Sequence, residues 1–152
     1  MATLVGTQSD FTKVIKELVE LGYDAKEAYE AAINRLNNTS YKIQMQQFKE
    51  DHERHIQELN ELLAAHDEEK VKGPSTKQWL TKGKVVISGL AGDDITILRA
   101  MHTNEQDTNT AYTRANNHDG KWEGAEEVLK DALADERRHK KWIENILGVS
   151  SS

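Results

Sequence analysis

Apolar residues recur at spacings of three and four through four long stretches of the chain. Each stretch reads as the buried stripe of an amphipathic helix. In helix A, about 11–36, the residues Phe11, Ile15, Leu18, Gly22, Ala25, Tyr29, Ala32 and Leu36 share one phase, and Ser9 or Asp10 can cap the start. The Asn37-Asn38-Thr39-Ser40 cluster ends this helix and offers a cap to the next. So short a turn forces helices A and B to lie antiparallel. Helix B, about 41–65, aligns Tyr41, Met45, Phe48, His52, His55, Leu59 and Leu62. Helix C starts after Gly92 with Asp93 as its cap, and Asp94, Leu98, Met101, Glu105, Thr108, Tyr112 and Ala115 share its inner phase. Helix D, about 121–147, aligns Ala125, Leu129, Ala132, Glu136, His139, Ile143 and Ile146, with Val149 to Ser152 as a frayed polar tail.

The connection from His66 to Asp93 is longer than a hairpin needs. It opens with charged and turn-forming residues through Gly73-Pro74. Ser75 and Gln78 then form a capping box, and Trp79, Gly83, Val86 and Leu90 continue as a short amphipathic helix. A segment of this length can travel the full height of a bundle, so that helices B and C run in the same direction. The expected architecture is an all-α four-helix bundle with one long crossover connection containing a short helix.

Composition narrows the picture. The 152 residues suit a single domain spanning 1–152, and 37% hydrophobic with 30% charged residues suits solvated amphipathic helices better than a thick α/β core. One proline and nine glycines are few for sheets and their turns. A net charge of −6 argues against nucleic acid as a partner, which would call for surplus Lys and Arg. Without cysteine there is neither a disulfide framework nor a thiolate metal site. Met1 to Asp10 lacks a basic start followed by an apolar run, and no apolar stretch nears the ~20 residues of a membrane span. A cytoplasmic protein of bacterial style, with no membrane partner, is expected.

Polar residues interrupt the stripes in a pattern. Asp51-His52-Glu53-Arg54-His55 recurs as Asp135-Glu136-Arg137-Arg138-His139, 84 residues later. Each copy stacks two metal-capable side chains on one helix face at a spacing of three. Helices A–B and C–D form a weak internal repeat, with Ala28-Tyr29 matching Ala111-Tyr112. Five ionisable residues thus fall on buried stripes: His52, His55, Glu105, Glu136 and His139. Burying one unpartnered costs several kcal/mol, and a divalent metal answers the need of all five at once. Any one alone is more simply a satisfied core residue in a His–Glu pair. Five on three helices at matched depth favour a metal, and carboxylate with imidazole suits iron, manganese or zinc. Tyr29 and Tyr112 can hydrogen-bond the ligands, while Asp51 and Asp135, one step off the stripes, can hold the histidines in one tautomer. Trp79, Trp122 and Trp142 read as packing residues, and His66, His102 and His118 carry no pattern.

Ala134-Asp-Glu-Arg-Arg-His-Lys-Lys-Trp-Ile-Glu144 resembles the last-helix signature of the ferritin-like superfamily, particularly bacterioferritins and rubrerythrins. Asp24 before Tyr29-Glu30-Ala31-Ala32, and Gly92-Asp93-Asp94 with Glu105, resemble the uncharacterised bacterial ferritin-like bundles classed as a domain of unknown function. The resemblance implies one Glu each from helices A and C and Glu-x-x-His from B and D. Carried over, it gives Glu105, Glu136, His139 and His55. The chain departs from it at His52, where a glutamate is expected, and at Gly22, opposite Glu105. Asp24, Glu27 and Glu30 lie off the stripe, so an asymmetric site is expected: one well-held metal, or two with the second bound weakly and completed by water or Glu27.

The function expected is therefore an iron- or manganese-binding ferritin-like bundle, with zinc as a further option and an oxidase, peroxidase or iron-handling role in view. The alternative is a metal-free, stress-related helical interaction module. Homo-oligomerisation is compatible with either, and no catalytic residues are assigned.

Overall fold

The computed structural model describes residues 3–149, which form five helices and, among the described residues, no strand. Apart from Val149, the expected tail lies outside them. Helix α1 (Phe11–Arg35) begins where the Asp10 carboxylate accepts the Thr12 N–H at 2.9 Å. Helix α2 (Thr39–Ala65) begins where Asn38 accepts the Tyr41 N–H at 3.2 Å. These caps satisfy amides that the first helical turn leaves unpaired. A single turn, α3 (Lys84–Ser88), is all the helix the crossover forms. Helix α4 (Asp94–Asn116) is capped by Asp93, which accepts the Thr96 N–H at 3.2 Å. Helix α5 (Ala125–Leu147) starts at the first residue of its apolar stripe, four residues later than the expected boundary at 121, because Gly124 at φ 92° takes a left-handed turn immediately before it.

Two antiparallel hairpins, α1–α2 and α4–α5, pack face to face, with α1 against α4 and α2 against α5. Their directions follow from contacts at the two ends. Asp94, at the start of α4, accepts the Asn37 and Asn38 N–H groups at 2.8 and 2.9 Å, so α4 begins beside the start of α2. At the other end His66 stacks on Trp122 at 3.9 Å, and Phe11 packs against His118 and Trp122, each at 5.2 Å. Helices α2 and α4 therefore run the same way, as the length of their connection requires. The core between the hairpins holds Ile15, Leu18, Tyr29, Phe48, Leu59, Leu98 and Met101, all fully buried. Each such side chain contributes roughly 1.5–3 kcal/mol by leaving water.

The crossover corrects the expected Ser75–Leu90 helix. Ser75 Oγ accepts the Lys77 N–H rather than that of Gln78, and Gln78 itself adopts a left-handed φ of 54°. The path is irregular and is held by side chains of the helices it passes. Trp79 N–H donates to Asp24 at 2.8 Å and Thr81 N–H to Asp107 at 2.9 Å, while Asn104 accepts from Lys82 N–H at 2.9 Å and donates to its carbonyl at 2.7 Å. The Arg35 guanidinium meets the Leu90 carbonyl at the far end. With its amides satisfied from outside, the segment has no need of helical hydrogen bonds.

Candidate metal centre

Midway along the bundle the apolar core gives way to four ionisable side chains. His52 comes from α2, Glu105 from α4, and Glu136 and His139 from α5. Each is at most 1% exposed, and one donor atom from each lies within 4.8 Å of all the others. His52 Nε2 stands 3.4 Å from Glu136 Oε1 and 3.8 Å from Glu105 Oε1. His139 Nδ1 is 3.7 Å from each of the same two oxygens. Several of these atoms have no hydrogen-bond partner: His52 Nε2, His139 Nδ1, both Glu136 oxygens, and Nδ1 of the adjacent His55. Unpartnered buried polar atoms are rare in proteins, and a buried group of this composition could hold a metal ion.

His55 sits at the edge of this group. Its Nδ1 lies 3.5 Å from Glu136 Oε1, and its ring packs 5.7 Å from Tyr112. Glu27 is not brought in. It faces the crossover, 3.9 Å from Lys84 Nζ. Asp24 is taken up by the Trp79 amide, with burial pushing its pKa up to about 6, and Glu30 pairs with Lys49 at 3.3 Å. The reason no α1 carboxylate arrives is packing. Gly22, the α1 counterpart of Glu105, lies against Ile56, and a Cβ there would meet Ile56 Cγ1 at 2.9 Å.

Around the cluster, the repeated sequence segments exchange partners between hairpins. Asp51 of α2 accepts from His139 Nε2 of α5 at 2.8 Å, and Asp135 of α5 accepts from His55 Nε2 of α2 at 2.9 Å. Each bond places a proton on Nε2 and leaves Nδ1 facing the core as a lone-pair donor. Arg138 bridges the two aspartates at 2.8 and 3.0 Å, and Arg54 reaches Asp51 at 3.1 Å and also contacts Asp135. On the inner side, Tyr29 OH donates to Glu105 Oε1 and Thr108 Oγ1 to Glu105 Oε2 at 3.1 Å. Sequence reasoning assigned no role to the two arginines or Thr108. The only signal was the matching position of Arg54 and Arg138 in the repeated segments.

The electrostatics divide the two carboxylates. Burial alone would raise Glu105, but His139 and His52 beside it outweigh that and hold it well below the usual carboxylate range. At Glu136 burial prevails: it is opposed by His52 but reinforced by the Glu105 charge, and the pKa is pushed up to about 8. Burial takes His55 down to about 4 against the pull of Asp135. For His139 burial acts downward too, yet the Asp51 and Glu105 carboxylates prevail and raise it. Asp51 and Asp135 are both lowered, since their histidine and arginine partners outweigh the effect of burial.

Among the described residues, no helix is long and apolar enough to cross a membrane. No curated protein and no solved structure matches the chain. Residues 10–118, from the Asp10 cap through the end of α4, match the family model described as Domain of unknown function (DUF2383), and the chain belongs to that family.

Proposed function

We propose that the protein is a ferritin-like bundle, one domain over residues 1–152, that holds a divalent transition-metal ion between α2, α4 and α5. His52, Glu105, Glu136 and His139 are its ligands, with His55 in reserve beside Glu136. The observation that carries this reading is the convergence of buried, unpartnered donor atoms on one point. The four histidine-to-carboxylate distances of 3.4–3.8 Å lie at or just above the roughly 3.3–3.6 Å that separates donors sharing one ion at about 2.0–2.2 Å in a tetrahedron, so a small inward movement completes the shell. Charge supports the same reading. Two carboxylates balance a divalent ion, while Asp51 and Asp135 are already balanced by Arg54 and Arg138.

Oxygen and nitrogen donors without sulfur favour iron, manganese or zinc. Bound there, iron or manganese would supply one-electron redox capacity. Two-electron oxidase chemistry calls for a neighbouring second ion and open positions. Ile56 against Gly22 occupies the place from which α1 would have to serve one. Holding or handling a single ion is therefore favoured over an oxidase or peroxidase.

Metal analysis of the full chain after reconstitution with Fe(II), Mn(II) or Zn(II) tests this. About one tightly held equivalent is expected. Glu136→Ala and His139→Ala should each abolish it, and Asp119→Ala, in the α4–α5 turn, should leave it unchanged. A folded chain that retains no metal would overturn the reading in favour of a metal-free interaction module.

A further inference from the structure

A groove of about 630 Å³ runs between the outward faces of α4 and α5. Its charged lining is entirely cationic: Arg114, Arg137, Lys140 and Lys141, in a chain whose net charge is −6. The neutral lining is of amides and hydroxyls, including Asn109 and Thr110. The absence of acid is a property of α4 itself. Between Ile95 and Asn116 its only acids are Glu105 and Asp107, both buried and turned to other partners. The cations differ in how they are held. Arg114 donates to the carbonyls of Thr3 and Val5 at 2.5 and 3.1 Å, and Lys140 stands 3.7 Å from Glu144. Arg137 and Lys141, both exposed, make no ion pair among the described residues.

We propose that this groove binds a phosphoryl-bearing anion of at least two charges. Guanidinium and ammonium groups with hydroxyl and amide donors match the several oxygens of a phosphate or pyrophosphate, and the volume exceeds what a lone monovalent ion needs. Arg114 and Lys140, already positioned by protein partners, form fixed walls. Arg137 and Lys141 are the groups able to close on the ligand. The floor connects the groove to the core: Asn109 Nδ2 donates to the main-chain carbonyls of Glu105 and Glu136 at 2.7 and 3.0 Å. With both its amide hydrogens committed there, Asn109 leaves donation to the ligand to Gln106, Thr110 and Thr113, and it alone separates the groove from the backbone that carries both carboxylates.

The inference does not depend on metal, so it is tested on the metal-free full chain by calorimetric titration with inorganic pyrophosphate at low salt. One site is expected, weakened about tenfold or more by Arg137→Glu and by Lys141→Glu, as loss of a charge-assisted hydrogen bond implies. Lys72→Glu, a charge reversal of equal size on the exposed crossover, should leave it unchanged. Arg137→Gln and Lys141→Gln give the same ranking should charge reversal disturb folding. The Asn109 side-chain amide resonance should shift on titration. Adenosine diphosphate in place of pyrophosphate distinguishes a nucleotide from a free phosphoryl anion as the source. Absence of binding, binding indifferent to Arg137 and Lys141, or binding of polyglutamate in preference to pyrophosphate would overturn the proposal.

Discussion

The α1–α2 and α4–α5 hairpins are built to one plan and end with different chemistry. Both present Asp, Arg and His at matched positions, Asp51, Arg54 and His55 against Asp135, Arg138 and His139, and each aspartate holds the other hairpin's histidine. The inner positions diverge. Where α4 places Glu105, α1 has Gly22 with Ile56 packed on it, and where α5 places Glu136, α2 has His52. The outer frame is symmetric while the inner donors are lopsided. On the proposed reading, symmetry of the frame would fix where the site stands, and the asymmetry of the donors would fix how many ions it accepts.

The strongest way to break this comparison is to supply α1 with the missing carboxylate. Gly22→Glu alone should destabilise the protein by on the order of 3 kcal/mol, because the new side chain meets Ile56 and buries an unpaired charge. Combined with Ile56→Ala, it should raise the metal held from about one equivalent to about two. A folded double variant that still holds one equivalent, measured by metal analysis, would show that Ile56 is not what limits the site.

A second, smaller effect separates the two carboxylates by pH. Glu136 must lose its proton to bind metal, so affinity should rise with pH by up to about tenfold per unit and level off above pH 8. In the metal-free protein the sign reverses. The folded form, with Glu136 raised from its ordinary 4.5 to about 8, binds the extra proton, so stability from this group is lost as pH climbs through that window. Denaturant unfolding at a series of pH values, with and without metal, checks both slopes. Equal slopes would place the proton elsewhere.

The two aspartates sharpen the comparison further. Asp51→Asn, behind the proposed ligand His139, should weaken metal binding about 10- to 100-fold. Asp135→Asn, behind the peripheral His55, should do so distinctly less. If competition with a chelator finds the two equal, His55 belongs among the ligands. The least effect is expected from Arg54→Gln and Arg138→Gln. Both side chains are about half exposed, so each change should cost under about 1 kcal/mol in thermal unfolding, and nearly the same amount on both sides.

Much of this was legible in the sequence because it depends on local chemistry. Asp10, Asn38 and Asp93 cap the helices they precede, and the stripes of α2, α4 and α5 carried His52, Glu105, Glu136 and His139 inward on the same turn as the leucines beside them. The Asp51 and Asp135 partners were legible for a similar reason, one step off each stripe. What failed was whatever depended on a distant acceptor. The capping-box pattern at Ser75 and Gln78 could not reveal that Asp24, Asp107 and Asn104 would claim the amides of the crossover. Glu27 lay near the stripe in sequence, yet nothing local marks that Ile56 fills the space a carboxylate from α1 would need, or that Lys84 waits on its own side. His102, patternless in sequence, finds Glu144 at 2.9 Å across the hairpin.

The exchange of aspartates between hairpins bears on how the protein assembles. Asp51 orients a histidine of α5 and Asp135 a histidine of α2, so neither hairpin alone can set its own imidazole in the tautomer that offers Nδ1 inward. The donors reach their final state only when the hairpins have docked. An ion that prefers this arrangement must then favour the docked form over separated hairpins by the full difference in its affinity for the two. Were an ion bound there, occupancy and tertiary closure would be coupled equilibria, and saturating the site would tighten the hold of the two halves on each other.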